Sequence, residues 1–268
     1  MQLLNDNFDL DRFFSRVSES KSPVLMIDYD GTLTPPVPDN DEAIPYPGVR
    51  ERLNQLLEQT PTRLVLISER WSEDLIPLLG LPRLPEIWGC QGAERVYPDG
   101  TIRFVKLQPE AERGLEAARR WAIQAGLSDR LEHKPTSVIF NWRDLHPQNA
   151  ESIRREVADN WSEAALGADL VLRESGGRLE LRVAGTDKGR AVRAIVNGNG
   201  SGIPSAFLGD DLSDEAAFRA MPADGLKVLV RKEFRPTRAD LWIVPPNDLI
   251  AFLDELISKG VEIGKKVA

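Results

Sequence analysis

The chain has 268 residues, enough to bury the core of one large domain or two modest ones, and its 41% hydrophobic and 28% charged residues exclude a disordered chain. Its single cysteine, Cys90, excludes an intramolecular disulfide and gives no sign of an oxidising compartment. A net charge of -8 argues against nucleic acid as a partner, and an anionic substrate would need a local cluster of Lys or Arg, a metal ion, or both.

Taken in chain order, Leu10, Phe13, Phe14 and Val17 fall at helical spacing over 9–20 and predict a leading helix packed on the core. Val24, Leu25, Met26 and Ile27 then form an unbroken apolar run, the character of a strand buried on both faces in the middle of a parallel sheet. It ends in Asp28, Tyr29, Asp30 and Gly31. The two aspartates, two residues apart, point the same way on a continuing strand, and Gly31 follows where the chain turns. The proline-rich stretch 34–41 predicts a loop flanking these carboxylates. A helix is expected over 47–59 and a strand over 63–67 that ends in Ser68, Glu69 and Arg70. A short helix over 73–79 and a third strand over 87–91, followed by Gly92, Ala93 and Glu94, continue the alternation.

The rhythm changes after Leu107. A helix over 110–124, a half-exposed strand over 136–142, a helix over 147–165 and a hairpin of 170–173 with 178–183, turned by Ser175, Gly176 and Gly177, lack the alternation of an α/β sheet. The alternation resumes at Thr186, where Thr186 or Asp187 caps a helix carrying Lys188 in its first turn. A strand over 205–208 ends in G-D-D-L-S-D-E. A strand over 226–230, a closing helix over 248–258 and a loosely held tail from Gly260 to Ala268 complete the chain. The expected fold class is α/β: a doubly wound parallel sheet with a Rossmann-like core, residues 1–107 and 186–268, interrupted by an inserted α+β domain, residues 108–185. No apolar run approaches the roughly 20 residues of a membrane span. The amino terminus lacks the basic start and apolar core of a signal peptide, so the expectation is a cytoplasmic protein, a monomer or weak oligomer, with no membrane partner.

Asp210, Asp211 and Asp214 form a second acidic group, far in sequence from Asp28. In a parallel sheet the carboxyl ends of the strands lie on one edge, so the two groups can meet there. Converging carboxylates repel one another and raise their pKa values unless a cation joins them. Mg²⁺ suits a site of few protein oxygens with positions left for water and phosphate, and the lack of a histidine or cysteine cluster argues against zinc or copper. The residues also permit plainer readings: Asp28 and Asp30 as turn formers, 210–215 as a helix cap, Lys188 as a solvated helix residue.

Taken together, D-Y-D-G-T-L, a serine ending the second strand, a lysine opening a later helix, and G-D-D-L-S-D-E resemble the four motifs of the haloacid dehalogenase-like phosphatases, from about Val24 to Phe218. The resemblance implies a two-step phosphoryl transfer. Asp28 would be the nucleophile and Asp30 the acid and base. Ser68 would hydrogen-bond the phosphoryl oxygens and Lys188 would offset their charge. Mg²⁺ would be held by Asp28, the backbone carbonyl of Asp30 and Asp210, with Asp211 and Asp214 close by.

In that superfamily the insert is a cap that decides the substrate, and the cap here is similar to that of the trehalose-6-phosphate phosphatases. G-C-Q-G-A-E resembles that family's H-G-A-E segment, H-K-P-T-S-V-I-F-N-W-R its cap strand ending in Y-R, and G-G-R-L-E-L-R-V its E-I-R-P strand. By that resemblance Glu94, Lys134, Arg143 and Glu180 would contact sugar hydroxyls or phosphate, with Arg182 a supporting candidate. The chain departs from the pattern at Glu69, where glycine is usual, at Asn141 and Trp142 in place of His-Tyr, and at Val183 in place of proline. The implied activity is hydrolysis of a sugar phosphate, foremost trehalose 6-phosphate. The alternatives are a phosphatase for a mannosyl- or glucosyl-glycerate phosphate, a phosphomutase, and a non-catalytic sugar-phosphate-binding regulatory module.

Overall fold

The computed structural model describes residues 1–37, 43–143, 145–175 and 177–267; parts of the predicted loop (38–41), of the hairpin turn (Gly176) and of the tail (Ala268) lie outside the described residues. The chain forms two compact units, one of Met1–Phe104 with Asp187–Ala268 and one of Val105–Thr186. The first begins with β1 (Gln2–Leu3), α1 (Leu10–Glu19), β2 (Val24–Asp28), α2 (Val49–Gln59), β3 (Arg63–Ile67), α3 (Ser72–Leu79), β4 (Glu86–Gly89), β5 (Glu94–Val96) and β6 (Ile102–Phe104). The second contains α4 (Pro109–Gln124), β7 (Leu131–Lys134), β8 (Ser137–Asn141), α5 (Pro147–Ala165), β9 (Leu170–Ser175) and β10 (Arg178–Val183). The chain then returns to the first unit with α6 (Lys188–Asn199), β11 (Ser205–Gly209), α7 (Glu215–Ala220), β12 (Leu226–Val230), β13 (Leu241–Ile243) and α8 (Asn247–Val267).

The first unit is a nine-stranded sheet in the order β1-β13-β12-β11-β2-β3-β4-β5-β6. The six strands from β13 to β4 are parallel. Antiparallel β1 closes one edge, and β5 and β6 the other. Every residue of β2 is buried, which explains its unbroken apolar run: alternate side chains serve opposite faces. Leu25 and Ile27 join Leu53, Leu66 and Phe252 in the core shared with α1, α2 and α8. Val24 and Met26 join Val65, Phe207, Val192 and Phe218 in the core shared with α6 and α7. Helices thus cover both faces, the doubly wound arrangement expected.

The closing helix runs further than its sequence suggests. Gly260 reads as a stop signal, yet α8 continues to Val267, and a Cβ at Gly260 would lie 2.6 Å from Thr60 Cβ. This glycine is there for close approach rather than to end the helix.

In the second unit an antiparallel sheet, β7-β8-β10-β9, lies against α4 and α5. Val138, Phe140, Leu179, Leu181 and Val183 pack on Ala111, Leu115, Val157 and Trp161, whose indole N–H donates to Ala118 O at 3.2 Å. Among the described residues no helix is long and apolar enough to cross a membrane.

Candidate active site

The register of the parallel sheet assembles the first group of polar residues. Asp28 is level with Ile67, and Ile27 with Leu208, so Ser68 and Asp210 each stand one residue beyond Asp28 on neighbouring strands. Asp28 shares its face of β2 with Val24 and Met26, the face covered by α6. That helix opens with Lys188, after Asp187, whose carboxylate accepts from Arg190 N at 2.6 Å, so Asp187 rather than Thr186 is its cap.

Lys188 Nζ donates to Asp28 Oδ1 and to Asp214 Oδ1, both at 2.8 Å, and all three side chains are buried. Asp214 Oδ2 accepts from the backbone N–H groups of Asp210 and Asp211 at 2.8 and 3.0 Å. Thr32 Oγ1 lies 3.2 Å from Asp28 Oδ2 and 3.4 Å from Asp210 Oδ1, a bridging hydroxyl inside the D-Y-D-G-T-L stretch that the sequence reading did not single out. Gly31 has φ +78°, and a Cβ there would sit 2.3 Å from Asp210 Oδ2. The glycine is therefore needed both for the turn and for the close approach of the second acidic group.

Asp211 has a different place. Its carboxylate accepts from Ser213 N at 2.6 Å and caps the short turn Leu212–Asp214. The capping reading of this stretch is thus realised on Asp211 and on Asp214, which completes a capping box by accepting from Asp211 N, while Asp210 and Asp214 also stand beside Asp28.

Asp30, just past β2, is gripped by Arg70. The guanidinium Nε and Nη2 reach its two oxygens at 2.6–3.0 Å, and Arg70 N donates to Ser68 Oγ at 3.1 Å. That leaves the Ser68 hydroxyl proton available to another acceptor. Glu69, the residue in place of glycine, is exposed, and its charge acts on Lys188. Glu94 is fully buried: its oxygens accept from Trp71 Nε1 at 3.1 Å, Ser72 N at 2.9 Å and Ser72 Oγ at 2.6 Å. It anchors the start of α3.

In the second unit, the strand pairing puts Lys134 and Arg182 on either side of Ser137, and Glu180 between Ile139 and Arg173. Directly opposed residues in antiparallel strands share a face. Lys134, Glu180 and Arg182 therefore lie on the sheet face opposite the apolar core, and Arg143 follows β8. Lys134 Nζ is 3.2 Å from Glu132, Arg182 is 3.9 Å from Glu180, and Arg143 N donates to Asn141 Oδ1 at 3.0 Å.

The first group carries more negative charge than Lys188 neutralises. Burial, reinforced by Asp214 and Asp210, raises the Asp28 carboxyl well above its usual range despite Lys188. Burial and the neighbouring Asp214 and Asp211 push Asp210 up to about 7. Burial would lower the Lys188 ammonium, but Asp214 and Asp28 hold it well above the ordinary lysine value. At Asp211 burial pushes upward, yet Lys188 and Ser213 outweigh it and the carboxyl lies below its ordinary value. Asp28, Asp210 and Asp214 offer carboxylate oxygens all within 4.8 Å of one another. An oxygen-only donor set with uncompensated charge fits a hard divalent cation.

A parallel sheet with acids at the carboxyl ends of β2 and β11, a serine after β3 and a lysine opening α6 defines a haloacid dehalogenase-like α/β fold. A haloacid dehalogenase-like hydrolase of Bacillus subtilis has the same fold, with a TM-score of 0.57 at 15% identity over 87% of this chain and 99% of that one. More specifically, the trehalose-phosphatase family model matches residues 26–240, and the chain belongs to that family. It is similar to the trehalose-phosphate phosphatase of Mycobacterium marinum, with 31% identity over 262 residues. That match covers 90% of this chain but 63% of the relative's length. The trehalose-6-phosphate phosphatase of Aspergillus fumigatus has the same fold: TM-score 0.66, 23% identity, 95% of this chain and 99% of that one.

Proposed function

We propose that the protein is a Mg²⁺-dependent phosphatase that hydrolyses a sugar phosphate, foremost trehalose 6-phosphate, through an aspartyl-phosphate on Asp28. The observation that carries this reading is the convergence of Asp28, Asp210, Asp214 and Lys188 through 2.8 Å contacts at one sheet edge. Family membership and the name of the mycobacterial relative support the choice of substrate.

In this reading the Asp28 carboxylate attacks phosphorus as the bond to the sugar oxygen breaks, and Asp30 gives that oxygen a proton. Water then attacks phosphorus, Asp30 takes its proton, and the bond to Asp28 breaks to release inorganic phosphate. The Arg70 fork holds both oxygens of Asp30. For the first half, Asp30 leaves the fork to carry its proton to the leaving oxygen. Ser68 donates to a phosphoryl oxygen, and Lys188 offsets the charge gathered there. Asp28, the carbonyl of Asp30 and Asp210 would hold Mg²⁺, with Asp211 and Asp214 beside them. When bound, the ion neutralises phosphoryl charge and the mutual repulsion of the acids.

The second unit, with Lys134, Arg143 and Glu180 and with Arg182 as a weaker candidate, is assigned the recognition of the sugar, and the first unit the chemistry; Glu94, the remaining sugar-binding candidate, belongs to the first unit. The departures at Asn141, Trp142 and Val183 bear on the choice of sugar, and the second reading is a phosphatase for a mannosyl- or glucosyl-glycerate phosphate. Phosphate release from a panel of sugar phosphates, with and without Mg²⁺, tests both. Trehalose 6-phosphate should give the highest kcat/KM, and release should stop when the metal is chelated. Equal release without metal would sink the proposed chemistry.

A further inference from the structure

The Mg²⁺ reading leaves one strongly built feature unused: the arginine that holds the backbone of the second acidic group. Arg235 lies in the loop between β12 and β13, and its side chain is 12% exposed. Nε donates to Asp210 O at 3.1 Å and Nη2 donates to Asp211 O. Nη1 donates to Glu215 Oε1 at 2.6 Å and to Pro236 O at 3.0 Å. Glu215 is held in turn by Thr237 Oγ1 at 2.7 Å and Arg238 N at 3.1 Å. From the other side, Asp214 Oδ2 takes the N–H groups of Asp210 and Asp211. The peptide units carrying the two acids are therefore clamped at both their donor and their acceptor ends.

We infer that Arg235 is a positioning residue for the Asp210 carboxylate, and that Glu215 sets Arg235. A planar fork that spans two consecutive carbonyls fixes their orientation, which the point charge of a lysine does not. Asp210 hangs from that backbone; without Arg235 the Asp211 carbonyl loses this donor and the Asp210 carbonyl keeps only the longer contact from Arg231 Nη1 at 3.4 Å, so the Asp210 carboxylate swings away from Asp28 and cation binding weakens. This inference rests on the reading of Asp28 and Asp210 as holders of Mg²⁺.

The test uses the full chain and Mg²⁺ alone, with binding read by calorimetry and by the rise in Tm, in the wild type, Asp210→Asn, Arg235→Met, Arg235→Lys and Glu215→Gln. Mg²⁺ should raise the wild-type Tm saturably, and Asp210→Asn should lose that rise; equal responses in these two would overturn the metal reading itself. Arg235→Met should shift half-saturation about 10- to 100-fold upward, the range seen when outer-shell partners are removed. Glu215→Gln should shift it less, and Arg235→Lys should not restore the wild-type value. If Arg235→Met lowers the metal-free Tm but leaves half-saturation at the wild-type value, the arginine merely holds the fold and the inference fails. Should Arg235→Met not fold, Glu215→Gln decides: wild-type half-saturation in that variant overturns the inference as well.

Discussion

At the carboxyl edge of the large sheet, Lys188 touches two carboxylates at 2.8 Å with 3% of its side chain exposed. On the sheet of the second unit the corresponding distances are 3.2 Å for Lys134 and Glu132 and 3.9 Å for Arg182 and Glu180, and Glu132 is 41% exposed. The contrast separates two demands on charged groups. A reacting centre needs fixed geometry, and a buried, fully bonded cluster provides it at the cost of desolvation. On the proposed reading, the sheet of the second unit meets a polyol, and side chains that offer several donors and acceptors suit that task.

This division of labour can be broken by experiment. Asp28→Asn should abolish phosphate release with an unchanged circular dichroism spectrum; wild-type turnover in that variant would remove the reacting centre from this sheet edge. Next in size, Lys188→Ala leaves Asp28 and Asp214 buried with no cation between them. Urea denaturation under chelation should then show a loss of about 3–5 kcal/mol.

In the second unit, Arg143→Ala and Glu180→Gln should each raise KM about tenfold for trehalose 6-phosphate, the size of one charged hydrogen bond, with little change in kcat. A fall in kcat at constant KM would erase the contrast between the regions. The pH dependence of Asp210 bears on the reacting edge alone. Its carboxyl titrates near 7 in the folded protein against an ordinary value of 3.8, so the folded state binds the extra proton between these values. Its contribution to metal-free stability is present at low pH and fades as pH rises towards 7. Asp210→Asn should flatten that slope in a series of thermal melts under chelation.

Asp28, Asp30, Ser68, Lys188 and Asp210 were legible in the sequence because each ends a predicted strand or opens a predicted helix, and parallel pairing then puts them on one edge. The separate tasks of Asp210, Asp211 and Asp214 were not legible, since they depend on which backbone N–H each carboxylate reaches. Glu94 sits in a stretch resembling a sugar-binding segment, yet its oxygens are occupied at the start of α3. The strands β1, β5, β6, β7 and β13 have two to four residues each, too short for alternation to register. Arg235 is hidden in the charged run R-K-E-F-R-P-T-R, which reads as solvated surface.

The strand order has a consequence for how the molecule assembles. β2 pairs with β11, and the whole second unit lies between them in the chain. During synthesis the second unit can close on its own neighbouring strands, while one edge of β2 stays open until β11 has been made. Non-local pairing of this kind is slow. The acids at the carboxyl ends of β2 and β11 thus meet only after the second unit has been made, and pulse-labelled hydrogen exchange during refolding should protect β8 and β10 before β2. Simultaneous protection would instead mean that the large sheet forms as fast as its insert.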